Sequence, residues 1–452
     1  MEFPFEKKTT LQNTPKIVFL LLLTIIPLYY IHLTQFLWNG FLLSSPSPSS
    51  PLDDIDNYNS TSIIKLASSS SSSSPSSPKS LSPSPLPPSL FNGNNNSTAA
   101  IARSDNKCNI FKGEWVRNPN APYYTNTTCF AISDRQNCLK YGRPDTDFLK
   151  WRWKPNGCDL PIFNPAHFLE LVRGKSMAFV GDSVARNQMQ SLICLLSTVE
   201  YPKDHSYTPD DKFKNLLYNS YNFTLASFWS PYLVRTEEAD PTVNQPAGLT
   251  NLYLDKFDKK WTAEIEQFDY VIISAGHWFF HPLILYEGGH IVGCHSCSQK
   301  NINDRTTSYG YRKALRTAFR AIIGHDRSDR MVFLRTFSPA HYENGVWNKG
   351  GKCGWTKPLK SHETRLEGSN KGLYMAQLKE FKIAKKKWRK RGLKFRLIDT
   401  TKAMLMRPDG HPDQYGHPID DHAYHDCVHW CLPGPIDAWN DFLLQMMKMD
   451  GG

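Results

Sequence analysis

The most informative segment of this chain is Ser176-Met-Ala-Phe-Val-Gly-Asp-Ser-Val-Ala-Arg-Asn-Gln-Met-Gln-Ser-Leu-Ile-Cys-Leu-Leu196. An apolar run leads into Gly181-Asp182-Ser183, and a pattern with helical spacing follows at once. This order predicts a strand, a tight turn and a helix. The turn would expose the Ser183 hydroxyl at the carboxyl end of a strand, beside the positive end of the helix dipole.

Groups that could activate this serine occur near the C-terminus, in Asp426-Cys-Val-His429. A serine nucleophile needs a base to accept its proton and a carboxylate to orient that base. Asp426 and His429 are three residues apart, so they can project from one side of a helical turn as a pair. Alone, Gly-Asp-Ser is more often a helix cap, and Asp-x-x-His is more often a surface turn or half a metal site. The combination in the order Ser, Asp, His favours catalysis, although the Gly-x-Ser-x-Gly elbow is missing.

Together with the strand before the serine turn, at residues 176–180, strands are predicted at residues 270–274, 331–336 and 395–399. Helical patterns lie between them, most clearly at residues 309–323 and 374–391. Strands that alternate with helices predict a parallel sheet covered on both faces. In such sheets the active site gathers at the carboxyl ends of the strands. Ser183, Gly276-His277 and Ser338 each follow one of these strands, which predicts a common crevice.

The N-terminal part of the 452-residue chain has a different character. Residues 17–38 are almost wholly apolar and long enough to cross a bilayer, with lysines before them and aspartates beyond. The positive-inside rule therefore predicts a cytosolic tail at residues 1–16 and a lumenal C-terminal part. The alternative is a cleaved signal peptide, but no convincing small-residue cleavage site follows. Residues 39–105, rich in Ser, Pro and Asn, predict a flexible stem, and residues 106–452 a globular catalytic domain.

All ten cysteines lie after the stem, as expected for a lumenal domain that oxidises. Their spacing alone does not determine their pairing. Sequons that predict glycan sites occur at Asn59, Asn95, Asn96, Asn126 and Asn222. Cys294, His295 and Cys297 offer an alternative as a zinc site, but structural zinc usually takes four ligands. The histidines between His411 and His429 do not have the spacing of a helical zinc motif, so no metal is predicted.

The sequence resembles the plant trichome birefringence-like family of polysaccharide O-acetyltransferases, whose fold is related to the SGNH/GDSL esterases. The matching blocks run in family order from Cys108 to the end of the chain. They are Cys108-Asn-Ile-Phe-Lys-Gly-Glu-Trp-Val116, Trp151-Arg-Trp-Lys-Pro-Asn-Gly-Cys-Asp-Leu-Pro161, Gly181-Asp-Ser-Val-Ala-Arg-Asn-Gln188, Arg335-Thr-Phe-Ser-Pro-Ala-His341, Asn344-Gly-Val-Trp-Asn-Lys-Gly-Gly-Lys-Cys353 and Asp426-Cys-Val-His-Trp-Cys-Leu-Pro-Gly434. The resemblance implies an α/β fold with an SGNH/GDSL-esterase-like parallel sheet flanked by helices. The resemblance also implies that this domain contains insertions and disulfides and follows an N-terminal transmembrane helix.

The same resemblance assigns roles to residues. It makes Ser183 the nucleophile, His429 its base and Asp426 the orienting carboxylate. The disulfide pairs that it implies are Cys108–Cys158, Cys129–Cys194, Cys138–Cys431 and Cys353–Cys427, which leaves Cys294 and Cys297 to each other. Cys427 and Cys431 bracket His429, so two bridges would hold the base-bearing loop in place.

The oxyanion of the reaction needs hydrogen-bond donors. The backbone N–H of Ser183, at the start of a helix, is the natural first donor. The esterase relatives add a Gly and an Asn from later blocks, for which Gly276 and His277 are the candidates here. Further candidates for oxyanion or substrate binding are Gly181, Asp182, Arg186 and Asn187. Aromatic residues beside the motifs are mostly core residues, but Trp278 and Trp430 are predicted to form a platform for sugar rings.

Acetyl transfer to a plant hemicellulose, with xyloglucan as the acceptor, is the function that the resemblance implies. The mechanism would be a Ser-His-Asp double displacement in the Golgi lumen, by a single-pass type II membrane protein. The acetyl donor would be acetyl-CoA or a relayed acetyl carrier, with a membrane protein as one source, and no bound cofactor is expected. Mannan or xylan acetylation, polysaccharide acetylesterase activity and non-catalytic binding of wall polymers remain alternatives. The net charge of +11 suits acidic wall polymers or a donor, whereas the lumenal topology excludes nucleic acid.

Overall fold

The computed structural model describes residues 108–208, 212–238, 249–324, 329–347, 349–389, 392–418 and 424–451. The predicted tail, membrane anchor and stem lie outside these residues, as do the sequons at Asn59, Asn95 and Asn96. Within the described residues, no helix combines the length and the apolar character that a membrane span requires.

The strands follow one another along the chain as short segments. They are β1 (Gly113–Arg117), β2 (Trp151–Pro155), β3 (Ser176–Gly181), β4 (Lys203–Asp204), β5 (Phe213–Tyr218), β6 (Phe223–Trp229), β7 (Val234–Glu238), β8 (Thr250–Phe257), β9 (Tyr270–Ser274), β10 (Leu283–Glu287), β11 (His290–His295), β12 (Met331–Arg335) and β13 (Lys394–Ile398). The helices are α1 (Pro165–Leu171), α2 (Ser183–Leu196), α3 (Lys259–Thr262), α4 (Thr307–Ile323), α5 (Gly368–Arg389), α6 (Thr401–Leu405) and α7 (Ala438–Gly451).

The main sheet has seven strands in the order β13-β12-β9-β3-β6-β5-β4. The predicted strands are β3, β9, β12 and β13, each within one residue of its predicted ends, and they pair in parallel. Strand β6 extends this parallel part, and β5 and β4 add an antiparallel edge. The sheet is therefore the predicted parallel α/β sheet with an edge that was not predicted.

Two hydrophobic cores cover the two faces of this sheet. Met177 and Phe179 of β3 pack into one core with α2 and α7, whereas Ala178 and Val180 pack into the other core with α4 and α5. Side chains alternate between the faces along a strand, so an apolar strand with both faces covered is buried almost throughout. This explains why the central strands were recognisable as continuous apolar runs.

Smaller sheets surround the main one and were not predicted. Strands β11-β10-β8-β7 form a four-stranded sheet, which contacts α4 through a hydrogen bond from Thr317 Oγ1 to the carbonyl of Leu254 (2.6 Å). Strands β1 and β2 form an antiparallel hairpin in which Trp115 faces Trp153. Trp115 donates from Nε1 to the carbonyl of Ala403 (2.8 Å), which fixes the hairpin against α6.

Strands β6 and β9 flank β3, and their register places three strand ends side by side. Gly181 lies opposite Trp229 of β6 and opposite Ser274 of β9. Because these strands are parallel, the segments that follow them leave the sheet at the same edge. The predicted crevice therefore exists for the segments after β3 and β9, and the segment after β6 joins them.

Candidate active site

The serine turn begins with Gly181, where no side chain fits. A Cβ atom built on Gly181 would lie 1.7 Å from the carbonyl oxygen of Ser274, and the residue has φ +156°. Two strands therefore approach so closely here that only glycine is compatible with the packing. The chain then turns sharply into α2, whose first residue is Ser183.

Asp182 connects this turn to the segment after β9. Its carboxylate caps α2 by accepting from the N–H of Val184 (3.0 Å). The other carboxylate oxygen accepts from the backbone N–H groups of Gly276 (2.9 Å) and His277 (3.3 Å). Asp182 is fully buried, so these bonds replace the water that the carboxylate loses. Asp182 thus positions the turn and the neighbouring segment rather than contacting a reacting group.

This arrangement corrects one prediction about the oxyanion donors. The N–H of Gly276 is bonded to Asp182, so it is not available to an oxyanion in this structure. The N–H of Ser183 has no acceptor among the described residues, and it remains the predicted donor. His277 packs its ring against Phe337 at 4.7 Å between centroids, and burial lowers the pKa of His277 to about 4, so the ring is neutral.

Asp426 and His429 form the predicted pair. His429 Nδ1 lies 2.7 Å from Asp426 Oδ2. The other carboxylate oxygen accepts from the N–H groups of Val428 (3.1 Å) and His429 (3.0 Å). The carboxylate therefore fixes both the imidazole and the backbone that carries it. His429 Nε2 is buried and has no hydrogen-bond partner among the described residues.

The two groups shift each other's pKa. Burial alone would raise the pKa of Asp426, but the imidazole of His429 and the backbone donors hold it well below its usual range. Burial alone would lower the pKa of His429, but the negative charge of Asp426 outweighs it and raises the pKa. A base with a raised pKa and an oriented ring suits general-base catalysis.

Asn187 joins this pair to the helix of the serine. Ser183 and Asn187 are four residues apart and therefore share one face of α2. Asn187 Oδ1 accepts from the N–H of Trp430 (2.7 Å), and Asn187 Nδ2 donates to the carbonyl of Trp430 (3.2 Å). Trp430 directly follows His429, so these two hydrogen bonds bring His429 next to the turn of helix that starts at Ser183. Asn187, predicted to bind the oxyanion or substrate, is instead occupied by the backbone of Trp430.

Residues 426–431, here called the base loop, are also tied down by two disulfides. Cys353–Cys427 and Cys138–Cys431 connect the loop to segments 74 and 293 residues away. The remaining disulfides are Cys108–Cys158, Cys129–Cys194 and Cys294–Cys297. These are the pairs that the family resemblance implies. The Cys294–Cys297 bridge uses both sulfurs of the zinc alternative, so that site has no thiolate to offer.

A serine at a strand-to-helix turn, an oriented imidazole and a buried carboxylate occur together in serine acyl-transfer enzymes. The GDSL/SGNH-like acyl-esterase family found in Pmr5 and Cas1p matches residues 160–446, which include both the serine turn and the base loop. The chain belongs to this family. The PMR5 N-terminal domain matches residues 106–159, which include the β1–β2 hairpin.

Curated relatives agree with this assignment over most of their length. Protein trichome birefringence-like 19 from Arabidopsis thaliana is 56% identical over 77% of this chain and 83% of its own length. Xyloglucan O-acetyltransferase 4 from Populus trichocarpa is 43% identical over 76% of this chain and 82% of its own. The xyloglucan O-acetyltransferase 2 from Arabidopsis thaliana is 42% identical over 76% and 83%, respectively. The predicted resemblance to the trichome birefringence-like proteins is confirmed.

In this acyl-esterase family member the two predicted platform residues have different environments. Trp430 is fully buried, donates from Nε1 to Ser338 Oγ (3.2 Å) and stacks on His411 at 4.1 Å between centroids. It therefore cannot receive a sugar, and that prediction is wrong. Trp278 is half-buried and meets Trp229 edge-on at 5.4 Å. The guanidinium of Arg186, one turn beyond Ser183, lies over the Trp229 ring at 4.7 Å.

Several residues that support the base loop were missed by sequence reasoning. His411 Nδ1 lies 2.6 Å from the carbonyl oxygen of His429, and His411 Nε2 lies 2.7 Å from His341 Nδ1. The guanidinium of Arg143 donates to the carbonyl oxygens of His411 and Asp409, both at 2.6 Å. No sequence motif predicts these contacts, because each contact joins residues from different segments of the chain.

Groups with metal-ligating atoms near the loop already have other partners. Cys353, Asp413 and Cys427 lie close together, but the two sulfurs are bonded to each other. His425 Nδ1 pairs with Asp413 Oδ1 (2.6 Å). His422 lies outside the described residues.

The two described sequons differ in exposure. The side chain of Asn222 is exposed in a left-handed turn, and Asn126 is half-buried. Glycosylation at either site stays a prediction.

Proposed function

We propose that this protein is a polysaccharide O-acetyltransferase that moves an acetyl group from a donor to a hemicellulose hydroxyl through an acetyl-Ser183 intermediate. One observation carries the proposal. His429 is oriented at Nδ1 by Asp426, presents an unpartnered Nε2 and sits on a loop that is hydrogen-bonded to the helix beginning at Ser183. The family assignment and the O-acetyltransferase names of the relatives support it.

In the first half-reaction, Ser183 Oγ attacks the acetyl carbonyl carbon while His429 Nε2 takes the hydroxyl proton. The negative charge of the resulting oxyanion faces the N–H of Ser183 at the start of α2. The bond to the donor's leaving group then breaks, and the leaving group takes the proton from His429. Asp426 stabilises the imidazolium that exists between these two proton transfers.

In the second half-reaction, a sugar hydroxyl replaces the leaving group. His429 Nε2 accepts the hydroxyl proton as the sugar oxygen attacks acetyl-Ser183. The tetrahedral intermediate collapses with release of Ser183 Oγ, which receives the proton back. The enzyme returns to its starting protonation state, so one base serves both steps.

Water competes with the sugar for the same intermediate, and only acceptor positioning separates transfer from hydrolysis. Aromatic rings favour sugar positioning here. Trp229 is the last residue of β6, and Trp278 lies in the segment after β9. These two strands flank β3, which leads into the turn of Ser183. A polysaccharide acetylesterase would bind its polymer in the same way, so the O-acetyltransferase names of the relatives are what favours transfer over hydrolysis. A non-catalytic binder needs no oriented imidazole.

Xyloglucan is the acceptor that we favour, since relatives at 42–43% identity carry that name. Mannan and xylan are the alternatives for the same chemistry. We further propose that the enzyme is a type II protein of the Golgi membrane with its catalytic domain in the lumen. The donor would be acetyl-CoA or a relayed acetyl carrier, supplied through a membrane protein.

The function can be tested by acetyl transfer to a panel of xyloglucan, mannan and xylan oligosaccharides, with product positions determined by NMR. Free acetate is measured in the same reactions. We expect xyloglucan oligosaccharides to become acetylated and to suppress acetate release as their concentration rises. Trp278→Ala should shift the products back towards acetate while donor cleavage continues.

Two outcomes would contradict the proposal. If acetate dominated at saturating concentrations of every hemicellulose, the protein would be an esterase. If mannan or xylan alone were acetylated, the acceptor assignment would be wrong while the transferase chemistry would stand.

A further inference from the structure

A row of rings leads from the serine helix to the protein surface. It starts at Trp229, over which the Arg186 guanidinium lies at 4.7 Å. The next ring is Trp278, at 5.4 Å between centroids. His281 follows at 5.0 Å from Trp278, and Trp347 ends the row at 5.5 Å from His281.

The inner end of the row is fixed beside the nucleophile. Trp229 pairs in register with Gly181, and the residue after it, Ser230, donates from its N–H to the carbonyl of Gly181 (2.9 Å). Gly181 precedes Ser183 by two residues. The row therefore begins at the end of β3, next to the turn where acetyl-Ser183 would form.

The outer end of the row is open to solvent. Trp229, Trp278 and His281 are half-buried, whereas Trp347 is 56% exposed. An exposed tryptophan in ring contact with a row that reaches an active site is unlike a scattered surface residue, which needs no explanation. Large, rigid rings provide contact area for a ligand at a low entropic cost.

We infer that these four rings form the binding path for an extended polysaccharide acceptor, with the reacting sugar near Trp229 and a neighbouring part of the chain at Trp347. A pyranose is similar in size to one six-membered aromatic ring, so a path of four successive rings is longer than the reacting sugar alone. This inference rests on the proposed function, which supplies the polysaccharide acceptor, and it adds where the chain beyond the reacting sugar binds.

The path makes chain length the property to test. A short acceptor reaches Trp229 and Trp278 only, whereas a long acceptor also contacts His281 and Trp347. Removing the Trp347 ring should therefore weaken the binding of long acceptors more than the binding of short ones. One aromatic contact is worth about 0.5–1.5 kcal/mol, which corresponds to a change of up to about tenfold.

The experiment compares kcat/KM for a short and a long oligosaccharide of the same hemicellulose in the unmutated enzyme, Trp347→Ala, Trp347→Phe and Trp355→Ala. Trp355 is a matched control, because it is 37% exposed on the same segment and has no place in the row of rings. We expect the preference for the long acceptor to fall by up to about tenfold in Trp347→Ala, through KM rather than kcat. Trp347→Phe should keep most of the preference, and Trp355→Ala should keep all of it.

Three results would overturn the path. They are an unchanged length preference in Trp347→Ala, an equal loss for short and long acceptors, and a loss of the same size in Trp355→Ala. Direct binding of the oligosaccharides to Ser183→Ala, with and without Trp347→Ala, separates this failure from failure of the proposed function. If no sugar is acetylated but long oligosaccharides bind through Trp347, the path stands and the transferase assignment falls.

Discussion

The turn that carries Ser183 lies between a regular strand and a regular helix, whereas the loop that carries His429 is held by residues from distant parts of the chain. Gly181 permits the close approach of two strands, and Asp182 caps the helix that Ser183 begins. The base loop has no helix or strand of its own, and disulfides and side-chain hydrogen bonds fix it. The strand, turn and helix around Ser183 can thus be recognised from local sequence, while the position of His429 depends on long-range contacts.

The largest effect should come from the nucleophile itself. Ser183→Ala should lower kcat for acetyl transfer by about 10⁶, as loss of the serine does in serine hydrolases. Adding His429→Ala should lower it little further, because the two residues act as one unit. Circular dichroism and the melting temperature would show that the fold is retained. Substantial activity in Ser183→Ala would show that the turn is not the site of the chemistry.

Asp426→Asn should be the next largest effect, lowering kcat by about 10⁴. The amide oxygen can still accept from the backbone N–H groups of Val428 and His429, so the loop should persist. Activity should fall as the pH drops and His429 becomes protonated, and because the pKa of His429 is raised, this fall should begin at a higher pH than for an ordinary imidazole. Asp426→Asn removes the cause of the rise, so this limb of the pH–rate profile should move to lower pH. An unmoved limb with a near-normal rate would indicate a Ser-His dyad.

The disulfides test the long-range support of the base loop. Replacing both Cys353 and Cys427 by Ser should reduce stability by about 2–4 kcal/mol, because the bridge closes a long segment. Displacement of the base by about an ångström should lower kcat by about a hundredfold. The control replaces Cys294 and Cys297, whose bridge spans a separation of only 3 residues and lies outside the base loop. Equal rate losses in the two double variants, measured beside denaturant unfolding, would contradict a specific role of the loop.

The smallest effect is expected at His411. A carbonyl oxygen only accepts, so His411 Nδ1 must donate to the carbonyl of His429. Burial lowers the pKa of His411 well below its usual range, so the ring is neutral, and its Nε2 lies 2.7 Å from His341 Nδ1. The amide of Asn occupies the place of Nδ1, whereas the amide of Gln occupies the place of Nε2. His411→Gln should therefore lower kcat by roughly tenfold and His411→Asn by less, with the acceptor KM unaffected.

A reversed order at His411, or a change in KM instead of kcat, would mean that this ring packs against Trp430 without positioning the base. The same measurements in His341→Asn would show whether the bond between the two imidazoles contributes to the effect.

The same division explains what the sequence could predict. The order of strand, turn and helix around Ser183 could be predicted because apolar runs and a helix cap are local signals. The buried strands β9, β12 and β13 could be predicted from their apolar runs in the same way. The sheet β11-β10-β8-β7 was missed. Its strand β7, for example, buries only Val234 and otherwise exposes polar residues, so the strand carries little apolar pattern.

At the site, residue type alone did not reveal the partner of each group. Trp430 has the chemistry of a sugar platform, but contacts with Ser338 and His411 bury it. Gly276 has the right place for an oxyanion donor, but its N–H is directed to Asp182. Asn187 lies one turn beyond Ser183, which could have suggested that it faces the base loop. The disulfide pairs followed from the resemblance and not from the cysteine spacing.

In the proposed mechanism, Ser183 carries the acetyl group between donor and sugar. The most direct test supplies the acetyl donor without acceptor, quenches the reaction rapidly and locates acetylated residues by mass spectrometry. We predict acetyl on Ser183, absent from Ser183→Ala, that disappears on addition of xyloglucan oligosaccharides at the rate at which these become acetylated. Acetylation of the sugar in Ser183→Ala, or transfer at a full rate while Ser183 stays unmodified throughout single turnovers, would contradict an acetyl-Ser183 intermediate.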